Sequence, residues 1–131
     1  MDYFAYKNNK LYCEDVDLQD IAMQYGTPCY VYSKKTLERH VDVYKKAFKS
    51  KDNLICFSVK SLSNISILEF INKKGCGFDV VSGGELKRVL HVGADPKKII
   101  FSVVGKSYYE ILLGILNYIL SFNIESEAEV Y

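Results

Sequence analysis

An α/β fold organised around a parallel sheet is what these 131 residues predict, and two regularities predict it. Strand-like apolar runs begin near Leu54 (LICFSV), Gly77 (GFDVV), Ile99 (IIFSV) and Leu120 (LSFNI), at spacings of 23, 22 and 21 residues. Each interval has room for one helix of about ten residues with short loops, which is the length of a tight βα unit. The helix starts supply the second regularity. Ser82-x-x-Glu85, Ser107-x-x-Glu110 and Ser126-x-x-Glu129 each fit a capping box, in which a serine oxygen accepts the N–H at the third helical position and the glutamate reaches back to the cap. The third box announces a helix two residues before the last residue, Tyr131. The sequence therefore reads as about four βα units of a (β/α)8 barrel, whose usual size is about 250 residues. It is expected to be a truncated half, with an open four-stranded sheet as the alternative.

The elements before the repeat are shorter. Residues 1–32 are predicted to form a small N-terminal β/α segment, and residues 33–131 the half barrel. Aromatic and polar positions alternate around Asn8-Asn9, predicting a hairpin or two short strands. Asp17 is placed to cap a helix running to about Tyr25, ended by Gly26. Thr27-Pro28 restarts the chain as extended, with a strand over Cys29–Tyr32. Ser33 opens a second helix carrying Leu37, Val41, Tyr44 and Phe48 at helical spacing.

Composition narrows the function. Seventeen basic and sixteen acidic residues leave a formal charge of +1, with no basic stripe and no RNA-binding aromatic motif, so nucleic acid is not an expected partner. The four cysteines, Cys13, Cys29, Cys56 and Cys76, form no CxxC, and His40 and His91 are isolated. No metal site is expected. Cys29 and Cys56 are expected to be buried thiols inside strands, Cys76 an incidental turn residue, and both histidines solvated. The N-terminus has no signal-like apolar core, and the most apolar run, Ile111–Leu120, is shorter than a bilayer span. A buried helix and a cytoplasmic protein are the expectations.

Parity places the candidate chemistry. Residues of like parity share a strand face, so Leu54, Cys56, Ser58 and Lys60 face one way while Ile55, Phe57 and Val59 face the outer helices. Lys60 would then stand at the C-terminal mouth, where barrel active sites are built. Asp79, Ser82, Ser102, Asn123 and Glu125 close the neighbouring strands. A lysine ending an apolar strand is expected to be partly desolvated and so usable as an amine nucleophile toward an aldehyde. That chemistry fits Schiff-base formation with pyridoxal phosphate. Lys106 follows Gly105 between strand and helix, but no P-loop pattern surrounds it.

Five segments carry a resemblance. YGTPCYVYS (Tyr25–Ser33), ICFSVKSLSN (Ile55–Asn64), GFDVVSGGEL (Gly77–Leu86), IIFSVVGKS (Ile99–Ser107) and FNIESEAEV (Phe122–Val130) stand in the order in which similar segments occur in the diaminopimelate decarboxylases. The resemblance implies a pyridoxal-phosphate-dependent decarboxylase with the barrel of alanine racemase and a β-domain that the first residues join. It implies that Lys60 anchors the cofactor, with Asp79 and Ser82 beside it. The implied reaction releases carbon dioxide from meso-diaminopimelate to give L-lysine, in a homodimer. By resemblance, the stacking histidine, the phosphate loops and the substrate arginine lie downstream, so the chain is expected to be inactive alone, with a separate C-terminal half as a possible partner. Decarboxylases of arginine, ornithine or carboxynorspermidine, and a non-catalytic cofactor carrier, are the alternatives. Two departures stand out: Ser61-Leu62 where the family usually has Ala-Asn, and Val103 where it usually has glycine.

Overall fold

The computed structural model describes residues 3–49 and 52–130, and the chain divides into two compact units, Met1–Lys49 and Ser50–Tyr131. The sequence placed the boundary earlier, before Ser33.

In the first unit, β1 (Phe4–Lys7), β2 (Lys10–Cys13) and β3 (Val16–Asp17) form an antiparallel sheet in that order. Asn8 and Asn9 make the two-residue turn at φ 51° and 61°, a conformation asparagine tolerates better than most residues. Helix α1 (Leu18–Tyr25) starts where Asp17 accepts the Gln19 N–H at 2.8 Å and ends at Gly26, φ 81°. Helix α2 (Lys34–Ala47) starts at Ser33, whose Oγ accepts the Thr36 N–H at 3.0 Å and donates to Glu14 Oε1 at 2.8 Å. The predicted strand over Cys29–Tyr32 is absent. These residues have no regular structure and no ladder partner among the described residues, Tyr30 is 91% exposed, and Cys29 is exposed rather than buried. Strand propensity has no effect without a neighbouring strand to bond.

The second unit holds the repeat. Strands β4 (Cys56–Ser58), β5 (Gly77–Val80), β6 (Ile99–Ser102) and β7 (Ser121–Asn123) are all parallel and lie side by side in chain order. Helices α3 (Ile65–Lys73), α4 (Gly83–His91) and α5 (Tyr108–Leu116) alternate with them, α3 against α4 and α4 against α5. Consecutive order without reversal is the pattern of a barrel wall, as distinct from a doubly wound sheet.

Register divides the sheet into two faces. Partners sharing a face are Phe57, Phe78 and Ile99 in one row and Val80, Phe101 and Phe122 in the next. Phe78, Val80, Ile99 and Phe101 are fully buried with Leu68, Ile71, Leu86 and Val89 of the helices, each worth about 1.5–3 kcal/mol of burial. The opposite face carries Cys56, Ser58, Gly77, Asp79, Ile100, Ser102, Ser121 and Asn123. The bulky-out, small-in division predicted for the first barrel strand thus recurs in β5 and β7, while β6 places Ile100 among the small residues.

Four expectations are corrected in this unit. The first barrel strand begins at Cys56, not Leu54, and Cys56 is only half-buried while Cys76 is enclosed. The run from Ile111 to Leu120 is not a buried helix: Gly114 and Ile119 are buried, but Ile115 and Leu116 are 55% and 65% exposed. Ser126 makes no side-chain cap and is followed by a single 3₁₀ turn, Glu127–Glu129. Ser107 and Glu110 form the full capping box, and Ser82 accepts from Glu85 N–H while Glu85 takes the N–H of Val81 instead.

Candidate functional site

Lys60 does not extend the β4 ladder. The strand's last paired residue is Ser58, opposite Asp79, and Lys60 rides a 3₁₀ turn, Val59–Ser61, just past the strand. Val59 is fully buried and pins the turn, while Lys60 is exposed. Its ammonium has no partner among the described residues, so the expected partial desolvation is not met in this chain. One of the two departures has a local role: the Ser61 hydroxyl donates to the Ser58 carbonyl at 2.7 Å and closes the turn that carries Lys60. Val103 is free of the left-handed backbone region, which falls to Gly105 at φ 74°.

Asp79 stands on the same sheet face as Ser58. Its Oδ1 is enclosed and has no hydrogen-bond partner. An unpaired buried acceptor costs about 1–3 kcal/mol unless something donates to it, so this oxygen marks where a donor belongs. Gly77, beneath it on the same face, cannot carry a side chain: a Cβ there would meet the Lys98 carbonyl and, at 3.0 Å, Cys56 Sγ. Two strands along, Asn123 Nδ2 donates to Ser102 Oγ at 2.8 Å. A small, polar face thus ends in an exposed amine, an orphaned carboxylate oxygen and a serine–asparagine pair.

Ser82 lies beyond β5 as the N-cap of α4, its Oγ accepting from Glu85 N–H at 3.2 Å. The next amide, Gly83 N–H, donates to Glu110 Oε1 at 2.8 Å. Glu110 also accepts from the Ser107 hydroxyl at 2.7 Å and the Ser107 N–H at 3.1 Å. These donors, Gly83 first, hold its carboxyl below the usual carboxylate range. The α4 N-terminus is therefore tied to the α5 N-terminus. Glu125 is exposed and offers its N–H to Glu129 Oε2 at 3.2 Å.

Glu110 and Glu129 were read only as capping-box glutamates, and their cross-loop partners were missed. The signal was the repeat itself. Ser102–Asn123 spans 21 residues, Lys106–Glu129 spans 23 and Gly83–Glu110 spans 27, about one βα unit each, as required when successive loops are neighbours. Lys106, weighed only for phosphate, is buried and paired with Glu129 at 2.7 Å.

A family model described as "Pyridoxal-dependent decarboxylase, pyridoxal binding domain" matches residues 34–131. The chain belongs to this family. Curated relatives include the diaminopimelate decarboxylases of Haemophilus influenzae, 52% identical over 130 residues, and Vibrio cholerae, 48% identical over 131. Each match covers 99% of this chain and 31% of the relative. Among solved structures, diaminopimelate decarboxylase from M. jannaschii in complex with L-lysine superposes with a TM-score of 0.94 at 32% identity, covering 98% of this chain and 31% of that one. The chain thus spans about a third of the length of the family members it matches. Its parallel α/β sheet corresponds to the N-terminal part of their barrel, and pyridoxal phosphate is the cofactor of the family.

Proposed function

We propose that this chain supplies the cofactor-lysine sector of a pyridoxal-phosphate-dependent decarboxylase that converts meso-diaminopimelate to L-lysine. The observation that carries the proposal is the juxtaposition at the end of β4 and β5: an exposed amine on a turn held by Val59 and Ser61, beside a strand end whose Asp79 Oδ1 lacks a donor. The residues fit the cofactor. Lys60 offers a nucleophilic amine for its aldehyde, and Asp79 an acceptor for a cationic or N–H group. When bound, the cofactor supplies an electron sink for the pair left behind as carbon dioxide departs. The chain's own groups would bind and orient it: Lys60 would anchor it through its amine, Asp79 would accept a hydrogen bond from it, and Ser82 would have its hydroxyl proton free to donate while its oxygen caps α4.

The substrate assignment is supported by relatives named diaminopimelate decarboxylase and by one that holds L-lysine, the expected product. Decarboxylation is proposed for a protein in which the remaining family length is present, in cis or as a second chain, and a homodimer and a cytoplasmic location are proposed with it. Residues 33–131 are proposed as the cofactor-binding half barrel and residues 1–32 as the segment that joins the β-domain.

Titration of the chain with pyridoxal phosphate, followed by the visible absorbance of lysine–aldehyde condensation, tests the assignment. A saturable signal that Lys60→Ala abolishes is expected. A signal unchanged in Lys60→Ala would overturn it. Turnover on meso-diaminopimelate, arginine, ornithine and carboxynorspermidine separates the substrate readings.

A further inference from the structure

The family reading gives no role to the buried pair just outside the sheet. Lys106 is the one basic residue buried among the described residues. Its Nζ donates to the Val103 carbonyl at 2.8 Å and to Glu129 Oε2 at 2.7 Å, and both side chains are enclosed. Glu129 Oε2 also accepts from Glu125 N–H at 3.2 Å. Its carboxyl is held below the usual range first by the Lys106 hydrogen bond, against the opposing push of burial. Val103 directly follows Ser102, the last residue of β6, and Glu125 lies just beyond Asn123, the last residue of β7. Gly105, at φ 74°, turns the loop back so that the next side chain points across it. The pair thus bridges the two loops that leave the hydrogen-bonded rim residues Ser102 and Asn123.

We propose that Lys106 and Glu129 are positioning residues that fasten the loop after β6 to the segment after β7 and so hold the Ser102–Asn123 sector of the rim in place; this rests on the reading of that rim as the cofactor mouth. A buried ion pair is weak support for stability, because desolvation offsets its attraction, and apolar replacements of similar size are often neutral. What an apolar pair cannot reproduce is direction. It would leave the Val103 carbonyl and the Glu125 N–H without the partners that set the loop path. The charged side chain facing Glu129 is Lys106; Glu125 contributes its backbone N–H.

The test compares the full 131-residue chain with Lys106→Arg, Lys106→Met and the double variant Lys106→Met, Glu129→Leu. Readouts are the thermal midpoint, amide hydrogen exchange by residue, and the pyridoxal phosphate concentration that gives half-maximal borohydride labelling of Lys60. The double variant is expected to keep its midpoint. Its exchange at Gly105–Ser107 and 125–129 should rise at least tenfold, and its half-maximal concentration at least threefold, with Lys106→Arg close to wild type in both. Exchange of the wild-type loops should quicken only below the usual glutamate range, and in Lys106→Met that transition should move upward in pH. Unmoved loop exchange, or faster exchange with an unmoved labelling concentration, overturns the inference alone. A wild-type chain that captures no aldehyde at Lys60 overturns the proposed function and the inference with it.

Discussion

Tyr118 shows what a single residue does in this repeat. The three helices of the second unit stop in the same way. Gly75, Gly93 and Tyr118 each take a left-handed φ, 75°, 75° and 56°, and the following N–H reaches back to Ile71, Val89 and Gly114 carbonyls. Two of the three stops use glycine, which pays no Cβ penalty there. Tyr118→Gly is expected to raise stability by roughly 0.5–1 kcal/mol, the left-handed cost recovered less an exposed cation–π contact with Lys97. A loss of stability in urea titration would contradict this. Gly114 is the converse. A Cβ there would run into the Phe122 ring, so Gly114→Ala should cost about 1–3 kcal/mol by overpacking. Glycine and turn chemistry were visible in the sequence at Gly26, which stops α1 as read. The clash that demands glycine at 114 was not, since it depends on a ring eight positions later on another element. Lys60 was legible as the candidate nucleophile, but its exposure was not. Parity assumes an unbroken strand, and the strand yields to a turn at Val59.

At the level of elements, caps were read more reliably than strands. Asp17, Ser33, Ser82 and Ser107 each cap the helix predicted to follow them, because the capping interaction is local and needs only a side-chain oxygen and a free N–H. The Cys29–Tyr32 strand and the Ser126 box failed for reasons outside their own windows: the strand has no ladder partner among the described residues, and the box loses its glutamate to a distant residue. Glu129 would have had to reach back to Ser126, but Lys106 lies across the loop and takes its carboxylate. Glu110 makes the same kind of bridge between the starts of α4 and α5, and this has a pH consequence. Its folded carboxyl is held below its ordinary value of 4.5. The stability it contributes is therefore complete above that value and is lost as pH falls through the lower, folded one. Glu110→Gln keeps one acceptor oxygen of two and should cost roughly 1 kcal/mol at neutral pH. The gap from wild type should close as the solution is acidified below about pH 4.5. A gap that stays constant in denaturant titrations across that range would contradict the assignment.

The whole second unit is a wall with two ends. Among the described residues β4 and β7 each pair on one side only, and unpaired strand edges invite another chain. Dimers or larger species are therefore expected in sedimentation of the isolated chain, and a monodisperse monomer would count against open edges. The half-barrel plan was legible because four strands recur at nearly constant spacing, and a repeat survives errors in any one boundary. The spacing makes successive loops neighbours, but it could not reveal which side chains meet across them. Those contacts fall one repeat apart, and they gather the polar groups of successive strands at one rim. The claim that this rim presents Lys60 to a cofactor aldehyde is tested most directly by chemistry on the chain itself. Mixing it with pyridoxal phosphate, reducing with borohydride and mapping the modified peptide should give one adduct, on Lys60. Adducts scattered over the surface lysines, or none at Lys60, would contradict the account.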